Sequence, residues 1–347
     1  MKYVVVTGAA GFLGCHIVKR LLSLGHHVIG IDDLTGGDLD LNVSPLLRTY
    51  QKTYSFWKLD ASSNRLDLFL EEFEVDAIFH AACYPHEGLS VSSPKLVAAY
   101  SVGLLSMNVL RFACKKRIRR LINFSSMARY GKQDKNLFTE DMRVNPVDPY
   151  GTFKYASELA MKQVCDVNGV EFVNLVPHNI YGPHQKYDDP FRNVAAIMCN
   201  RVLRGLQPII YGDGTQKRCF SYVEDIIDPI LVSLYSNEVL GKTINIGPQE
   251  PFIEIKELAR MICEIGGLKY NPIFVPSRPC EVKEANCSNK LSRQLLGASY
   301  TTPLESGLFQ LYSWIRSNGH RDFKYHLDLE IINKNTPITW IDRSMNV

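Results

Sequence analysis

The sequence predicts an α/β protein built on a doubly wound parallel sheet, with a smaller C-terminal α/β lobe. Three observations lead to this prediction. Short β-rich runs alternate with amphipathic segments over the first half of the chain, a glycine-rich turn joins the first run to the first amphipathic segment, and the alternation loosens after residue 180. Such alternation is typical of a parallel sheet that helices cover on both faces.

The first half of the chain, residues 1–180, is expected to form the main domain. Its predicted strands are Lys2–Thr7, His27–Asp32, Ser55–Leu59, Ala77–Ala81, Leu121–Phe124 and Phe172–Val176. Its predicted helices are Phe12–Leu24, Arg65–Phe73, Pro94–Lys116 and Pro149–Val167. The first helix illustrates the argument, because Leu13, Ile17 and Leu21 recur at helical spacing on one face and Gly25 ends the pattern.

The second half, residues 181–347, is interpreted mainly as the smaller lobe, with some segments returning to the main sheet. Its predicted strands are Pro208–Tyr211, Thr243–Ile246 and Pro272–Val275. Its predicted helices are Phe191–Arg204, Val223–Ser236, Ile253–Ile265 and Pro303–Ser317. From His320 onward the sequence has no clear periodicity, and no role is assigned to this tail.

The composition excludes several classes of protein. Of 347 residues, 46% are hydrophobic and 22% are charged, which excludes a disordered, collagen-like or coiled-coil chain. The net charge of +3 does not by itself indicate a nucleic-acid partner. The basic run at 115–120 ends a predicted helix, where cations complement the helix dipole, and we interpret it in that way. Since no apolar stretch reaches the roughly 20 residues of a membrane span, we expect no membrane partner.

The nine cysteines are scattered along the chain without a Cys-x-x-Cys pair, and the nine histidines show no metal-ligand spacing. This pattern differs from a disulfide framework and from a zinc site. We therefore expect reduced thiols, a cytoplasmic location and no metal. His80 is interpreted as a hydrogen-bonded core residue.

The turn after the first strand reads Thr7-Gly8-Ala9-Ala10-Gly11-Phe12-Leu13-Gly14. Gly8 permits a tight turn, Gly11 lets the backbone approach a pyrophosphate, and Gly14 lets helix and strand pack closely. The helix that follows offers free N–H groups and the positive end of its dipole to phosphates. The sequence therefore predicts a dinucleotide site of the Rossmann type.

Acidic residues at strand ends indicate which dinucleotide binds. Asp32 closes the second strand, where a carboxylate accepts hydrogen bonds from an adenosine ribose and repels a 2′-phosphate. Asp33 reinforces the negative field, and Asp60, at the end of the third strand, is expected near the adenine. NAD is therefore favoured over NADP, although each aspartate also fits a solvated turn.

Tyr150 and Lys154 lie one helical turn apart on a predicted helix. A phenol is a poor base at neutral pH, and a nearby cation favours the phenolate. Tyr54 and Lys58 share this spacing but fall in a β-rich run. Ser126, at the end of a strand, is predicted to hydrogen-bond the reacting hydroxyl, with a turn cap as the alternative.

Together these motifs resemble the extended short-chain dehydrogenase/reductase family of nucleotide-sugar enzymes, and in particular its UDP-sugar 4-epimerases. Further matching segments are His80-Ala81-Ala82, Ser125-Ser126, His178-Asn179-Ile180-Tyr181-Gly182-Pro183, Tyr211-Gly212-Asp213-Gly214, Arg218 and Arg278. The resemblance implies that Tyr150 exchanges a proton with the sugar 4-hydroxyl while C4 exchanges hydride with NAD. It also implies a homodimer formed through the helices at Pro94–Lys116 and Pro149–Val167.

The resemblance implies contacts at individual residues as well. The further cofactor contacts are Phe12, Leu13, Ala61, Ala81, Ala82, Cys83, Ser101 and Pro177, besides Tyr150 and Lys154. The substrate contacts are His86, Ser126, Asn179, Asn193, Tyr211, Arg218, Arg278 and Glu281. An arginine suits a diphosphate because its planar guanidinium pairs with two oxygens. Ala285 aligns with a bulky position in some relatives and is expected to leave space for an N-acetyl group.

The residues after Ser126 favour epimerisation. In related 4,6-dehydratases and decarboxylases an acidic residue follows this serine or threonine, whereas Met127 and Ala128 follow here. A 4,6-dehydratase, a decarboxylase and a 4-dehydrogenase remain alternatives, since Glu87 or Glu140 could supply the acid. An NAD-binding regulator without catalysis is disfavoured by the intact Ser126, Tyr150 and Lys154.

Overall fold

The structure is a computed structural model in which residues 2–347 are described, apart from the side chains of residues 69 and 70. The strands in chain order are β1 (Lys2–Thr7), β2 (His27–Asp32), β3 (Tyr54–Lys58), β4 (Glu74–His80), β5 (Arg120–Phe124), β6 (Leu137–Phe138), β7 (Glu171–Pro177), β8 (Ile180–Tyr181), β9 (Ile209–Tyr211), β10 (Lys217–Arg218), β11 (Ser221–Tyr222), β12 (Thr243–Ile246), β13 (Ile253–Glu254), β14 (Ile273–Val275) and β15 (Glu284–Cys287). The α-helices are α1 (Phe12–Ser23), α2 (Ser44–Thr49), α3 (Arg65–Leu70), α4 (Leu105–Lys115), α5 (Pro149–Asn168), α6 (Val194–Leu203), α7 (Val223–Tyr235), α8 (Ile255–Gly266), α9 (Lys290–Leu296), α10 (Leu304–Asn318) and α11 (Ile338–Ile341). Segments Leu39–Val43 and Pro94–Leu104 are π-helical, and Gly88–Val91, Met127–Arg129 and Ser344–Asn346 are 3₁₀ turns.

Seven parallel strands form the main sheet in the order β12-β7-β5-β4-β1-β2-β3. Val5 of β1 lies opposite Ile29 on one side and Ile78 on the other. The chain runs outward from β1 to β3 and then returns to the other side of β1 with β4. This arrangement confirms the predicted doubly wound sheet, and its strand order reverses between β1 and β4, where ligands bind in such folds.

The two faces of the sheet are covered by different helices. Because successive side chains on a strand point to opposite faces, Val4 and Val6 pack in a cluster with residues of α1 and α7, whereas Val5 packs with residues of α4 and α5. All three valine side chains are fully or almost fully buried. The helices therefore fix the sheet from both sides and leave its carboxyl edge for a ligand.

The smaller lobe has a core of its own, formed by apolar residues of α6, α8 and α10. Short strands surround it as the sheets β13-β10-β15-β6, β11-β8 and β14-β9. The strand Thr243–Ile246 (β12) is one segment that returns to the main sheet, where it pairs with β7.

The predicted helix Pro94–Lys116 is a π-helical segment followed by α4. In the π-helical part the Ser101 hydroxyl donates to the Val97 carbonyl at 2.8 Å, which competes with the regular backbone bond. The helix predicted from Phe191 begins only at Val194, because Asn193 has a left-handed backbone with φ of 68°.

One helical stretch corrects the expectation about apolar length. Within the described residues, Pro94–Lys115 spans 22 residues with a mean hydropathy of 1.5, which by length and composition alone is enough to cross a membrane. Its most apolar window is 61% buried inside the protein, and core helices pass the same test.

The basic run at 115–120 makes structural contacts. Lys115 pairs with Asp67 at 2.8 Å, and Arg119 pairs with Asp76 at 2.7 Å. Arg120 is fully buried, and its guanidinium binds Glu171 and the backbone carbonyls that end α7. Arg120 therefore joins β5 to the end of α7, and Lys115 joins α4 to α3.

Candidate active site

A cavity of about 430 Å³ lies at the carboxyl edge of the main sheet, between the sheet and the smaller lobe. Every residue predicted as a cofactor, catalytic or substrate contact lines this cavity. The parallel strands explain the convergence of the residues from the main domain, because β1, β2, β4, β5 and β7 all end at the same edge, and the smaller lobe supplies the others.

The glycine loop brings β1, α1 and β4 into close contact. Gly8 has φ of 74°, and a Cβ there would lie 2.8 Å from the Ala82 nitrogen. A Cβ on Gly14 would lie 2.0 Å from the Gly8 carbonyl oxygen. Both positions therefore require glycine, and the loop holds the open N-terminus of α1 toward the cavity. This cradle fits the pyrophosphate of a dinucleotide.

Asp32 lies at the end of β2, beside the glycine loop. Its carboxylate accepts hydrogen bonds from the Leu34 nitrogen at 2.7 Å and the Ala10 nitrogen at 3.1 Å. Burial raises the pKa of Asp32 to about 6, against the effect of these hydrogen bonds. Ligand hydroxyl donors would favour the charged form.

Two further predicted aspartates are held by local contacts. Asp33 accepts from the Thr35 nitrogen at 2.8 Å and from the Tyr84 hydroxyl at 3.2 Å. Asp60 accepts from the Ser62 nitrogen at 2.8 Å and from the Tyr100 hydroxyl. The two carboxylates therefore extend a negative surface along the same side of the cavity as Asp32.

The N-terminus of α5 is positioned by a cap and a close approach. Asp148 caps the helix, because its Oδ1 accepts from the Gly151 nitrogen at 2.8 Å. A Cβ on Gly151 would lie 2.4 Å from the Ala128 carbonyl oxygen, so only glycine lets α5 approach the turn after Ser126 this closely. This close approach places Tyr150, at the start of α5, near Ser126.

Tyr150, Lys154 and Ser126 form the predicted trio at the centre of the cavity. The Lys154 ammonium lies 5.7 Å from the centre of the Tyr150 ring and donates to the Phe124 carbonyl at 2.8 Å. Burial raises the pKa of the Tyr150 phenol well above its usual value, Cys83 adds to the rise, and the Ser126 hydroxyl lowers it. The phenol therefore carries its proton in the ligand-free protein.

His80 is the core residue that was predicted. Its Nδ1 contacts the Thr7 hydroxyl at 2.8 Å, and its Nε2 contacts the Ser106 hydroxyl at 3.1 Å. Burial and the nearby Lys154 lower its pKa to about 3, so it stays neutral.

The predicted arginines lie across the cavity, in the smaller lobe. Arg278 pairs with Glu281 at 2.7 Å, and its guanidinium lies 5.1 Å from the centre of the Tyr211 ring. Arg218 donates to the carbonyls of Val282 at 2.6 Å and Lys217 at 2.7 Å. Burial lowers the pKa of Arg218, whereas for Arg278 burial is outweighed by Glu281, Tyr211 and Glu87 together, which raise the pKa. Both guanidinium groups are fixed within reach of an anionic ligand in the cavity.

Asn179 and Asn193 both line the cavity from left-handed backbone positions, with φ of 41° and 68°. The Asn179 amide donates to the Cys219 carbonyl at 2.9 Å. Ser101, a predicted cofactor contact, also supports the neighbouring loop, because its hydroxyl accepts from the Tyr84 nitrogen at 3.0 Å.

His86 belongs to a cluster that the sequence spacing does not reveal. Its Nε2 lies 2.8 Å from Asp189 Oδ2, and His326 Nε2 and Arg192 Nε each lie 3.9 Å from the same oxygen. Although burial opposes the charge, His86 and Arg192 hold the pKa of Asp189 well below its usual range. A metal set of two histidines and an aspartate fits the distances, but the guanidinium beside the carboxylate disfavours a second cation.

The cavity lining also contains residues that are absent from the predicted contacts, and four of them carry chemistry or come from an unexpected part of the chain. Glu87 was considered only as an alternative acid; it is exposed to solvent, and desolvation by the surrounding cavity walls raises its pKa against the effects of Arg218 and Arg278. Arg192, Trp340 and Met345 also line the cavity. The last two come from the tail, where no periodicity or motif indicates a site.

The expectation for Ala285 is wrong in position. Ala285 packs against the cluster of Tyr130, Phe138 and Val176, and it is not among the residues that line the cavity. Its size therefore gives no information about the sugar substituent.

Comparisons with known proteins identify the family and the fold that this chain shares. The model of the NAD dependent epimerase/dehydratase family matches residues 4–247. The UDP-glucose 4-epimerase of Mycolicibacterium smegmatis is 30% identical over 319 residues, which cover 90% of this chain and 98% of that protein. The structure of a UDP-glucose 4-epimerase from Thermotoga maritima with UDP-glucose has a TM-score of 0.84 at 26% identity and covers 91% of this chain and 99% of that one. A UDP-glucuronic acid 4-epimerase from Bacillus cereus with UDP-glucuronic acid and NAD has a TM-score of 0.81 at 25% identity, covering 92% and 100%.

Proposed function

The chain belongs to the NAD-dependent epimerase/dehydratase family, and from this premise we propose that it is an NAD-dependent epimerase that inverts C4 of a nucleotide-diphosphate hexose, with a UDP-sugar as substrate. The observation that carries the proposal is the placement of Tyr150, Lys154 and Ser126 in one cavity with the glycine loop and two arginines.

NAD occupies the half of the cavity beside the glycine loop. Gly8 and Gly11 present the backbone to its pyrophosphate, and Asp32 accepts hydrogen bonds from its adenosine ribose. The negative charge of Asp32 and Asp33 disfavours the 2′-phosphate of NADP. Lys154 holds the nicotinamide ribose while its ammonium remains near the Tyr150 ring.

Tyr150 holds and moves the proton of the sugar 4-hydroxyl. NAD bound beside Tyr150 would supply the hydride acceptor for C4 and return the hydride to the opposite face of the sugar, and its positive ring would favour the phenolate. Ser126 donates to the sugar oxygen and orients it toward Tyr150. Arg218 and Arg278 bind the diphosphate, which anchors the substrate while the hexose turns.

The surroundings of Ser126 support epimerisation rather than dehydration. Neither Met127 nor Ala128 carries a proton, and Glu140 is engaged elsewhere, since its Oε1 accepts from the Asn245 nitrogen at 2.9 Å. Glu87 does line the cavity, which favours 4,6-dehydration as the second candidate function. Decarboxylation and net 4-oxidation are further outcomes that the product identifies.

Proton NMR of the purified protein with UDP-glucose, UDP-galactose and their N-acetyl and uronic-acid counterparts tests the proposal. We expect interconversion at C4 without accumulation of NADH. Tyr150→Phe should lower turnover by about 10²–10⁴-fold while NAD stays bound. Tyr155→Phe, on the same helix but outside the cavity lining, is the matched control and should keep full activity.

A 4-keto-6-deoxy product would establish dehydration, and loss of carbon dioxide from a uronic acid would establish decarboxylation. Turnover by Tyr150→Phe at the rate of the unsubstituted protein would remove Tyr150 from the catalytic role.

We also propose a homodimer in the cytoplasm. The side chains of Leu104, Leu159 and Val167 are exposed on the helical segments expected to pair, and burial in a partner would remove this apolar surface from water. The nine cysteines are all free, which suits a reducing compartment.

A further inference from the structure

Residues 320–347, here called the C-terminal strap, connect the smaller lobe to the main domain. In the lobe, the Lys324 nitrogen donates to the Asp188 carbonyl at 2.8 Å. In the main domain, the Ser93 hydroxyl donates to the Asp328 carbonyl at 2.6 Å, and the Glu330 carboxylate accepts from two backbone nitrogens that begin the π-helical segment. The strap therefore bridges the two sides of the cleft that holds the cavity.

The strap then returns to the lobe and ends beside the cavity. The Thr339 hydroxyl bonds the Tyr211 hydroxyl at 2.6 Å, and the buried Arg201 donates to the Val347 carbonyl at 2.9 Å and to the Met345 carbonyl. These contacts fix α11 and place Trp340 and Met345 in the cavity wall.

Trp340 lies between the catalytic centre and the arginine that faces the diphosphate. Its side chain belongs to the same apolar cluster as Tyr150 and Phe191, and its ring centre lies 5.5 Å from that of Phe191. On its other side, a Cβ on Gly88 would lie 3.6 Å from Trp340 and 3.5 Å from Arg278. The indole therefore borders the part of the cavity between Tyr150 and Arg278.

A second contact joins the strap to the loop that carries Glu87. Asp189 lies between His86 of this loop and His326 of the strap. The ring centres of His86 and His326 are 6.1 Å apart, and His86 is buried. The position of the strap is thus coupled to that of the loop beside Tyr150.

We propose that Trp340 is a specificity-determining residue that contacts the hexose, so that the strap closes the sugar end of the cavity and limits the substituents it accepts. This inference rests on the proposed function for the identity of the ligand. The apolar face of a hexose, where its C–H groups lie, fits against an indole, while the hydroxyl groups face the polar loop at His86 and Glu87.

Binding of UDP and of a UDP-hexose to Trp340→Ala, measured by isothermal titration calorimetry on the NAD-loaded protein, tests this proposal. We expect the Kd of the UDP-hexose to rise roughly tenfold and the Kd of UDP to stay within about twofold. Trp340→Phe should restore most of the affinity. Ile338→Ala, an exposed position of the same helix, is the matched control and should leave both values unchanged.

Equal weakening of UDP and UDP-hexose, or no change in either, would overturn the proposal. Should Trp340→Ala not fold, Trp340→Leu keeps an apolar side chain without the aromatic face and carries the same comparison. In active protein, Trp340→Ala should also raise the kcat/KM for the UDP-N-acetylhexosamine relative to the kcat/KM for the UDP-hexose. If the unsubstituted protein binds a UDP-hexose but does not epimerise it, the proposed function fails and the binding comparison still decides the role of Trp340.

Discussion

The contact between Gly14 and Gly8 makes the sharpest prediction about the cofactor half of the cavity. In Gly14→Ala, the added Cβ would lie 2.0 Å from the Gly8 carbonyl oxygen and 2.7 Å from its carbon. Ordinary carbon–oxygen contacts are about 3.3 Å or longer, so α1 must move away from the loop by about 1 Å. The obstructing atoms belong to the backbone and cannot rotate away. We expect a loss of about 3 kcal/mol in the free energy of unfolding, at the upper end of ordinary overpacking.

Thermal unfolding of the NAD-free protein and calorimetric titration with NAD measure the two consequences. For a chain of this length, about 3 kcal/mol corresponds to a fall in Tm of roughly 4 °C if the protein unfolds in one step. NAD affinity should fall as well, since the displaced helix no longer presents its N–H groups to the pyrophosphate.

Gly36→Ala is the matched control, because a Cβ there meets no atom within 4 Å although Gly36 also lines the cavity. Its Tm without NAD should stay within about 1 °C of the unsubstituted protein. A Gly14→Ala protein with unchanged Tm and unchanged NAD affinity would refute the argument that this close approach sets the loop.

Two further predictions concern pH. Burial raises the pKa of Asp148 from 3.8 to about 7, so the stability contributed by its protonated form is present below about pH 4 and is lost as pH rises toward 7. Asp148→Asn keeps the helix cap and should therefore be more stable than the unsubstituted protein at pH 8, by about 1–4 kcal/mol, with no such gain at pH 4. Urea unfolding that gives the same difference in the free energy of unfolding between the two proteins at both pH values would contradict this. For Asp32, whose pKa is raised to about 6 by burial, NAD binding favours the charged form, so the Kd for NAD should rise by up to tenfold per pH unit below 6. Titration of Asp32→Asn should show weaker binding without this pH dependence, and an unchanged profile would remove Asp32 from the NAD site.

The parts of the fold that could be predicted are those that local sequence specifies. The strand β1, the glycine loop and the start of α1 form one short segment whose spacing fixes its geometry, and β2 and β12 have the predicted bounds. Tyr150 and Lys154 are neighbours on a single helix. Because parallel strands end at one edge, a correct strand assignment also brings Asp32, Ala81 and Ser126, which lie at or just after strand ends, to one cavity.

The features that were missed, among them the partners of the predicted residue His86, depend on contacts between distant segments. His86, Asp189 and His326 meet although they lie far apart in the sequence, and no periodicity marks the strap that carries Trp340. Ala285 was placed by alignment alone, which does not show the direction of its side chain. The apolar stretch Pro94–Lys115 was underestimated because its polar and small residues are mixed with the apolar ones.

The pairing of β12 with β7 has a consequence for the order in which the nascent chain folds. While the ribosome is still adding α6 and α7, the backbone groups on the outer side of β7 have no strand to bond, because β12 has not yet been synthesised. Edge strands in this state are prone to pair with other chains. The main sheet is complete only after β12 has left the ribosome, together with the segments of the smaller lobe that precede it, α6 and α7, so the N-terminal half cannot finish folding on its own.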